Sequence, residues 1–222
     1  MNKLGIDAPG APCTLASRRE VFASALALVG GGLLCAPVVD AQMLNPQVPP
    51  TDLTLLNYFL TLENLEATFW TQGLAKFSSA DFANAAFVQN FGSVIISDVY
   101  AYLCLIRDHD AKHIRMLKSA IASLGGTPVS PNTYSFPWKT ADDFAALAVS
   151  MKNTAIAAYN GALYQIQNLT LRSQMATIAT VEGRHSAYLS LLSGVSPAPV
   201  SFDTASTPST VLTTLGAFNA AH

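Results

Sequence analysis

Apolar positions recur at helical spacing in four long stretches of the chain. Over residues 52–76, Leu55, Phe59, Leu62, Phe69 and Trp70 make one apolar side. Leu56, Glu63 and Trp70 lie seven apart, so Glu63 shares a stripe with two large apolar residues, and Glu66 falls one turn on, near the stripe's edge. Pro49-Pro50 blocks helix before this stretch, and Thr51 or Asp52 can cap it. A second helix is expected from Ser93 to just before Gly125-Gly126. Its stripe is Val99, Tyr102, Leu103, Ile106, Asp110, His113, Leu117, Ala120 and Leu124. A third is expected over 141–167, with Thr140 or Asp142 near its cap. Met151, Ala155, Ala158 and Ala162 give it a small-residue face, beside which run Lys152, Tyr159 and Ile166. The fourth spans 171–192, is stopped by Gly194 and Pro197, and carries Met175, Ile178, Glu182, His185, Leu189 and Leu192 on one stripe.

The segments between are different in kind. Residues 77–92 read as a connector with a short helix after Ser79, and 125–138 contain three prolines and no helical period. A loop of that length can carry the chain from one end of a bundle to the other. The expected fold is therefore all-α: an antiparallel four-helix bundle over 52–194 with a long crossover between helices two and three. Residues 195–222 form a Ser/Thr/Pro-rich tail with a short helix over 209–218 lying on the bundle.

Three of the four stripes carry titratable groups at mid-length: Glu63; Asp110 with His113; Glu182 with His185. A buried carboxylate is costly unless it is paired or coordinates a metal. Glu-x-x-His inside a helix bundle is one pattern that gives such a burial a purpose. A lone core histidine is ordinarily just packed and hydrogen-bonded; two, each three residues from an acid on separate helices, point to ligation. His109, one turn before His113, reads as a surface or outer group rather than a ligand. Glu66 reads equally as a further ligand or as an edge carboxylate paired with Arg or Lys. Tyr159 reads first as core packing, with a hydrogen bond at the site as the alternative. Lys152 points into the site or, if the register slips by one residue, to solvent.

Leu56-Asn-Tyr58-Phe-Leu-Thr-Leu62-Glu63-Asn-Leu65-Glu66-Ala-Thr-Phe69-Trp70 resembles the opening of the ferritin-like family that includes plant desiccation-related proteins and fungal stress-response homologues. Ala157-Ala158-Tyr159-Asn160-Gly161-Ala162 and Val181-Glu182-Gly183-Arg184-His185 resemble its third- and fourth-helix signatures, and Val200-Ser-Phe202-Asp203-Thr204 also fits. The resemblance covers about residues 51–218 and is most specific in helix four. It implies a ferritin-like bundle, often exported in bacteria, with a di-iron-type centre of poorly defined activity. Two departures stand out. Helix two carries Asp110 where the family has Glu, and Lys152 stands where a bridging Glu of helix three is expected. Three carboxylates and one ammonium balance one divalent cation, where four carboxylates would balance two. The expectation is one metal ion or none, with Lys152 near the second metal position and paired with Glu63.

A carboxylate and imidazole set without thiolate suits iron, manganese or zinc, and iron or manganese is the expected cofactor. The leading expectation is an exported metal-binding bundle with a stress or metal-related role. Two alternatives stay open: a non-catalytic structural or desiccation-associated bundle with a degenerate centre, and an oxidase or peroxidase.

With 12 Lys+Arg against 14 Asp+Glu, the charge balance offers no case for a nucleic-acid partner or a polybasic membrane contact. Ser17-Arg18-Arg19-Glu20-Val21-Phe22, followed by an uncharged run to Ala36, resembles a twin-arginine export signal, with cleavage expected after Ala41 of Val39-Asp40-Ala41. The run is short and Gly/Ala-rich for a membrane span of about 20 residues, so a retained anchor is the weaker alternative. A lipoprotein reading through Cys35 is weaker again, because Leu34 stands where a small residue is wanted. The leader is thus expected over 1–41, a Pro-rich linker over 42–51, and the mature protein in the periplasm or outside the cell. Cys13 and Cys35 would leave with the leader. Cys104 then remains alone, and packing rather than a disulfide must hold the fold.

Overall fold

A computed structural model describes residues 51–220; the expected leader and most of the expected linker lie outside the described residues. Within them the chain forms α1 (Asp52–Lys76), α2 (Ser79–Asn84), α3 (Ser93–Ser123), α4 (Ala141–Ala162), α5 (Leu169–Leu192) and α6 (Pro208–Gly216), with single 3₁₀ turns at Ala86–Val88 and Leu163–Gln165. The described residues form no sheet, only an isolated bridge between Tyr134 and Asn219. No helix among them is long and apolar enough to cross a membrane.

Every α-helix except α3, which starts after Gly92 without a side-chain cap, begins where a side chain takes up free backbone N–H groups of its first turn. Thr51 Oγ1 accepts from the Thr54 amide at 3.2 Å. Thr140 and Asp143 cap α4 reciprocally, and the backbone amides of Lys139 and Thr140 help hold the Asp143 carboxyl below its usual range. Asn168 Oδ1 accepts from Thr170 and Leu171 to open α5.

The crossover explains the topology. Residues 126–140 run along the outside of α1 and are pinned to it in order: Asn57 Oδ1 accepts from the Val129 amide (2.9 Å), Gln72 Nε2 donates to the Tyr134 carbonyl (3.3 Å), and Lys76 Nζ donates to the Trp138 carbonyl (3.0 Å). The chain leaves α3 at one end of α1 and enters α4 at the other. At the first end, the Asp52 carboxylate accepts from the amides of Gln167 and Asn168, tying the start of α1 to the turn between α4 and α5. So α1 is antiparallel to both α3 and α4, and α3 and α4 run the same way on either side of it.

Helix three ends earlier than the apolar spacing suggests, at Ala162 rather than near 167. The amides of Gln167 and Asn168 are held by Asp52, and Ile166 donates to Leu163, so they cannot continue the helical ladder. Tyr102 and Leu124 also leave the expected stripe: each is close to half exposed. Tyr102 rides the edge of the α3/α5 seam against Tyr188 (ring centroids 5.5 Å apart), and Leu124 is the C-cap of α3.

The core is aromatic at the C-terminal end of α1, where Phe69, Trp70, Phe77, Phe82, Trp138 and Phe144 pack edge-on or stacked. Each such side chain contributes roughly 2–3 kcal/mol by leaving water. The tail closes over α4: the Ser206 amide donates to the Ala157 carbonyl at 2.9 Å, and a Cβ on Gly161 would lie 1.8 Å from the Ser206 carbonyl oxygen. Gly183, on α5, faces open space. Gly161→Ala should therefore lower unfolding free energy by about 1–3 kcal/mol through overpacking, whereas Gly183→Ala should raise it by about 0.5–1 kcal/mol. Urea unfolding midpoints of the two variants check both signs.

Candidate metal centre

The polar stripe positions meet at mid-height of the bundle. Glu63 and Glu66 come from α1, Asp110 and His113 from α3, Lys152 and Tyr159 from α4, and Glu182 and His185 from α5. Glu63, Asp110, Lys152 and Glu182 are 0% exposed, Glu66 3% and His185 6%; the His113 side chain is 11% exposed. All five residues expected as ligands are thus gathered in the interior, with the three additional candidates. One ligand atom each from Glu63, Asp110, His113 and Glu182 lie within 4.8 Å of one another.

The cluster has two halves. On one side the Lys152 ammonium donates to both Asp110 oxygens (2.8 and 3.0 Å) and to Glu66 Oε2 (3.2 Å). It also lies 2.6 Å from Glu182 Oε2, without hydrogen-bond geometry. Lys152 therefore does point inward, but its partners are not the expected one. Glu63 is instead hydrogen-bonded by the Tyr159 hydroxyl (2.8 Å) and by His113 Nδ1 (3.2 Å). The reason is spacing: Glu66 and Asp110 reach the level of Lys152, one turn along α1 from Glu63. Glu66, read equally as a further ligand or as an edge carboxylate paired with Arg or Lys, is buried and pairs with Lys152; it follows Leu62 by four and faces the same way. Tyr159 is held for its hydrogen bond by stacking on Phe59 (centroids 4.4 Å, planes 8° apart).

On the other side are the imidazoles. His113 Nδ1 lies 3.4 Å from Glu182 Oε1 and 3.9 Å from Asp110 Oδ1. His185 Nδ1 lies 3.5 and 3.9 Å from the same two oxygens. His109, half-buried, has its Nδ1 3.0 Å from His185 Nε2 with the rings nearly parallel. No periodicity within α3 could reveal that contact, which crosses from one helix to another.

Charge follows from these contacts. Burial works against a charged Lys152, but Asp110, Glu182 and Glu66 outweigh it and hold the ammonium well above its ordinary range. Burial and the neighbouring carboxylates push Asp110 up against the pull of Lys152. Because both Asp110 oxygens accept from a lysine that keeps its proton, the pair is ionic. Burial raises Glu66 well above the usual carboxylate range, against the pull of Lys152. Burial also opposes ionisation of Glu182, yet Lys152 and then the His113 imidazole hold it well below that range. Burial and the Glu63 carboxylate raise Tyr159 well above its ordinary value.

A transition metal fits the imidazole half. Glu182 is fully buried, yet neither of its oxygens accepts a hydrogen bond, and His185 Nδ1 is likewise without a partner. Ligands about 2.0–2.2 Å from one ion can stand no more than about 4.4 Å apart, so four donor atoms gathered within 4.8 Å are close to sharing one. Glu63, Asp110, His113 and Glu182 would hold it, with His185 beside them.

Burial opposes protonation of His113, but the facing carboxylate of Glu182 and the hydrogen bond to Glu63 overcome it and push the ring up to about 10 from 6.5. A raised folded-state value stabilises the fold fully below about 6.5 and is lost as pH rises through about 10. In the metal-free protein this should remove up to roughly 5 kcal/mol over that window. Urea unfolding of wild type and His113→Gln at pH 6 and pH 10 checks it, with the loss smaller in the variant.

Comparison with known families matches residues 51–195 to the model described as the ferritin-like domain. No curated protein matches the chain. The matched segment takes in all four long helices and every side chain of the cluster, and the chain belongs to the ferritin-like domain family.

Proposed function

We propose that this is an exported ferritin-like protein that binds a single transition-metal ion, iron or manganese, in a stress or metal-related role akin to that of the desiccation-related branch of the family. The observation that carries the reading is Glu182: a fully buried carboxylate, held ionised, with no hydrogen bond to either oxygen and two imidazole nitrogens 3.4 and 3.5 Å from Oε1. The three carboxylates of the ligand set, Glu63, Asp110 and Glu182, bring three negative charges and Lys152 offsets one, while Glu66 is turned to Lys152. The remainder matches one divalent cation. A second cation on the Lys152 side would have to displace a buried ammonium that contacts three carboxylates.

The chain's own groups would act as follows. Glu63 is oriented by Tyr159, Asp110 by Lys152, and His113 gives up its Nδ1 proton when that nitrogen becomes a ligand. Bound iron or manganese would supply redox chemistry with oxygen or peroxide. Protein exported naturally in its host should carry one iron or manganese per chain by elemental analysis, and Glu182→Ala and His185→Ala should carry much less. Two ions per chain would overturn the single-ion reading.

A second reading has its own support. Lys152 already pairs three carboxylates, and a finished ion-pair network of that kind can serve a purely structural bundle. No metal in the native protein, and no spectral change with oxygen or peroxide, would favour it.

Export is proposed from Arg18-Arg19 and the apolar run that follows. The mature protein should appear in the periplasm or medium with Gln42 at its N-terminus. Replacing Arg18 and Arg19 together by lysine should hold the uncleaved chain inside the cell; N-terminal sequencing of the fractions reads both outcomes.

A further inference from the structure

We infer that His109 is a positioning residue for the buried centre: it accepts the Nε2 proton of His185 and so fixes the ring form whose bare Nδ1 faces Glu182 and Asp110. The inference rests on the metal-site reading for its purpose, though not for its geometry.

The 3.0 Å contact between His109 Nδ1 and His185 Nε2 is a hydrogen bond, and only one of the two nitrogens can carry its proton. The far side of His185 decides which. There Nδ1 is buried, 3.5 Å from Glu182 Oε1 and 3.9 Å from Asp110 Oδ1. A proton on Nδ1 would face an ionised carboxylate and draw it into a charge-assisted bond of about 2.7–2.9 Å. No such bond forms: His185 Nδ1 and Glu182 Oε1 both lack a hydrogen-bond partner while facing each other. Two lone pairs turned toward the same space is the arrangement of two ligands of one cation. It leaves the His185 proton on Nε2, with His109 as its acceptor. A ligating histidine ordinarily donates its other ring N–H to a carboxylate, carbonyl or water. Here a second imidazole takes that place, on the solvent side of the cluster.

The chain has four histidines, so each ring can be assigned by substitution. The test uses exported, mature protein stripped of metal by chelation. ¹⁵N–¹H spectra at a pH where His185 is neutral should show its proton on Nε2. In His109→Leu that preference should be lost, and in His109→Asn, whose side-chain oxygen can accept in place of Nδ1, it should be kept. Cobalt(II), followed by its visible spectrum, should bind about 10–100-fold more weakly to His109→Leu and near normally to His109→Asn. A His185 proton on Nδ1 in the wild type, or a tautomer unmoved by His109→Leu, would overturn the inference. So would unchanged cobalt affinity in His109→Leu alongside a loss in His185→Ala. Failure of the wild type to bind cobalt at all would count against the metal site, and the spectra of the stripped protein would still decide the role of His109.

Discussion

A lysine ammonium with no exposure to water sits among three carboxylates at the centre of this bundle, and most of its design answers to that placement. Removing such a charge from water costs several kcal/mol, and mutual attraction repays it only when geometry and hydrogen bonding are good. Lys152 reaches Glu66 on α1, Asp110 on α3 and Glu182 on α5 at once. Those contacts require all four long helices at one register. They also divide the interior: the ammonium satisfies one end of the cluster and leaves the imidazole end open. Glu182 spans the division, with Oε2 toward Lys152 and Oε1 toward His113 and His185.

A cluster of this kind lowers stability unless the rest of the fold offsets it. The offset lies in the apolar packing above and below. The aromatic group around Phe69 and Phe144 fills one end, and the crossover lies along α1 from Val129 to Trp138, held by side chains of α1 itself. Close approach is permitted where side chains are small, as at Ala158, Gly161 and Ala162, and the tail uses that space. The chain therefore places its rigid, well-packed material around a polar centre that would be unfavourable alone. This is the usual arrangement when a site must be dry and pre-shaped.

Much of this was legible in residue order. The four long helices, the short one after Ser79, the crossover and the capped ends all follow from periodicity, Gly/Pro placement and local capping, because those are properties of a few adjacent residues. Acids and histidines on apolar stripes announced the polar centre, since a stripe that must be buried carries its odd members inward. Helix three was the exception. Its apolar spacing runs on to Ile166, but its α-helical backbone stops at Ala162, and after one 3₁₀ turn Asp52, more than a hundred residues away in sequence, holds the amides of Gln167 and Asn168.

What the sequence by itself determined is which side chains turn inward: Glu63, Asp110, His113, Tyr159, Glu182 and His185, with the direction of Lys152 left open. What only the tertiary structure decided is whom each one meets. Lys152 pairs with Glu66 and Asp110 rather than Glu63, Tyr159 takes Glu63, and His109 crosses a helix seam to His185. Helical period fixes the direction of a side chain to within one face. A hydrogen bond depends on the axial shift between two helices to within a fraction of a turn, and that shift is set by packing over their whole length.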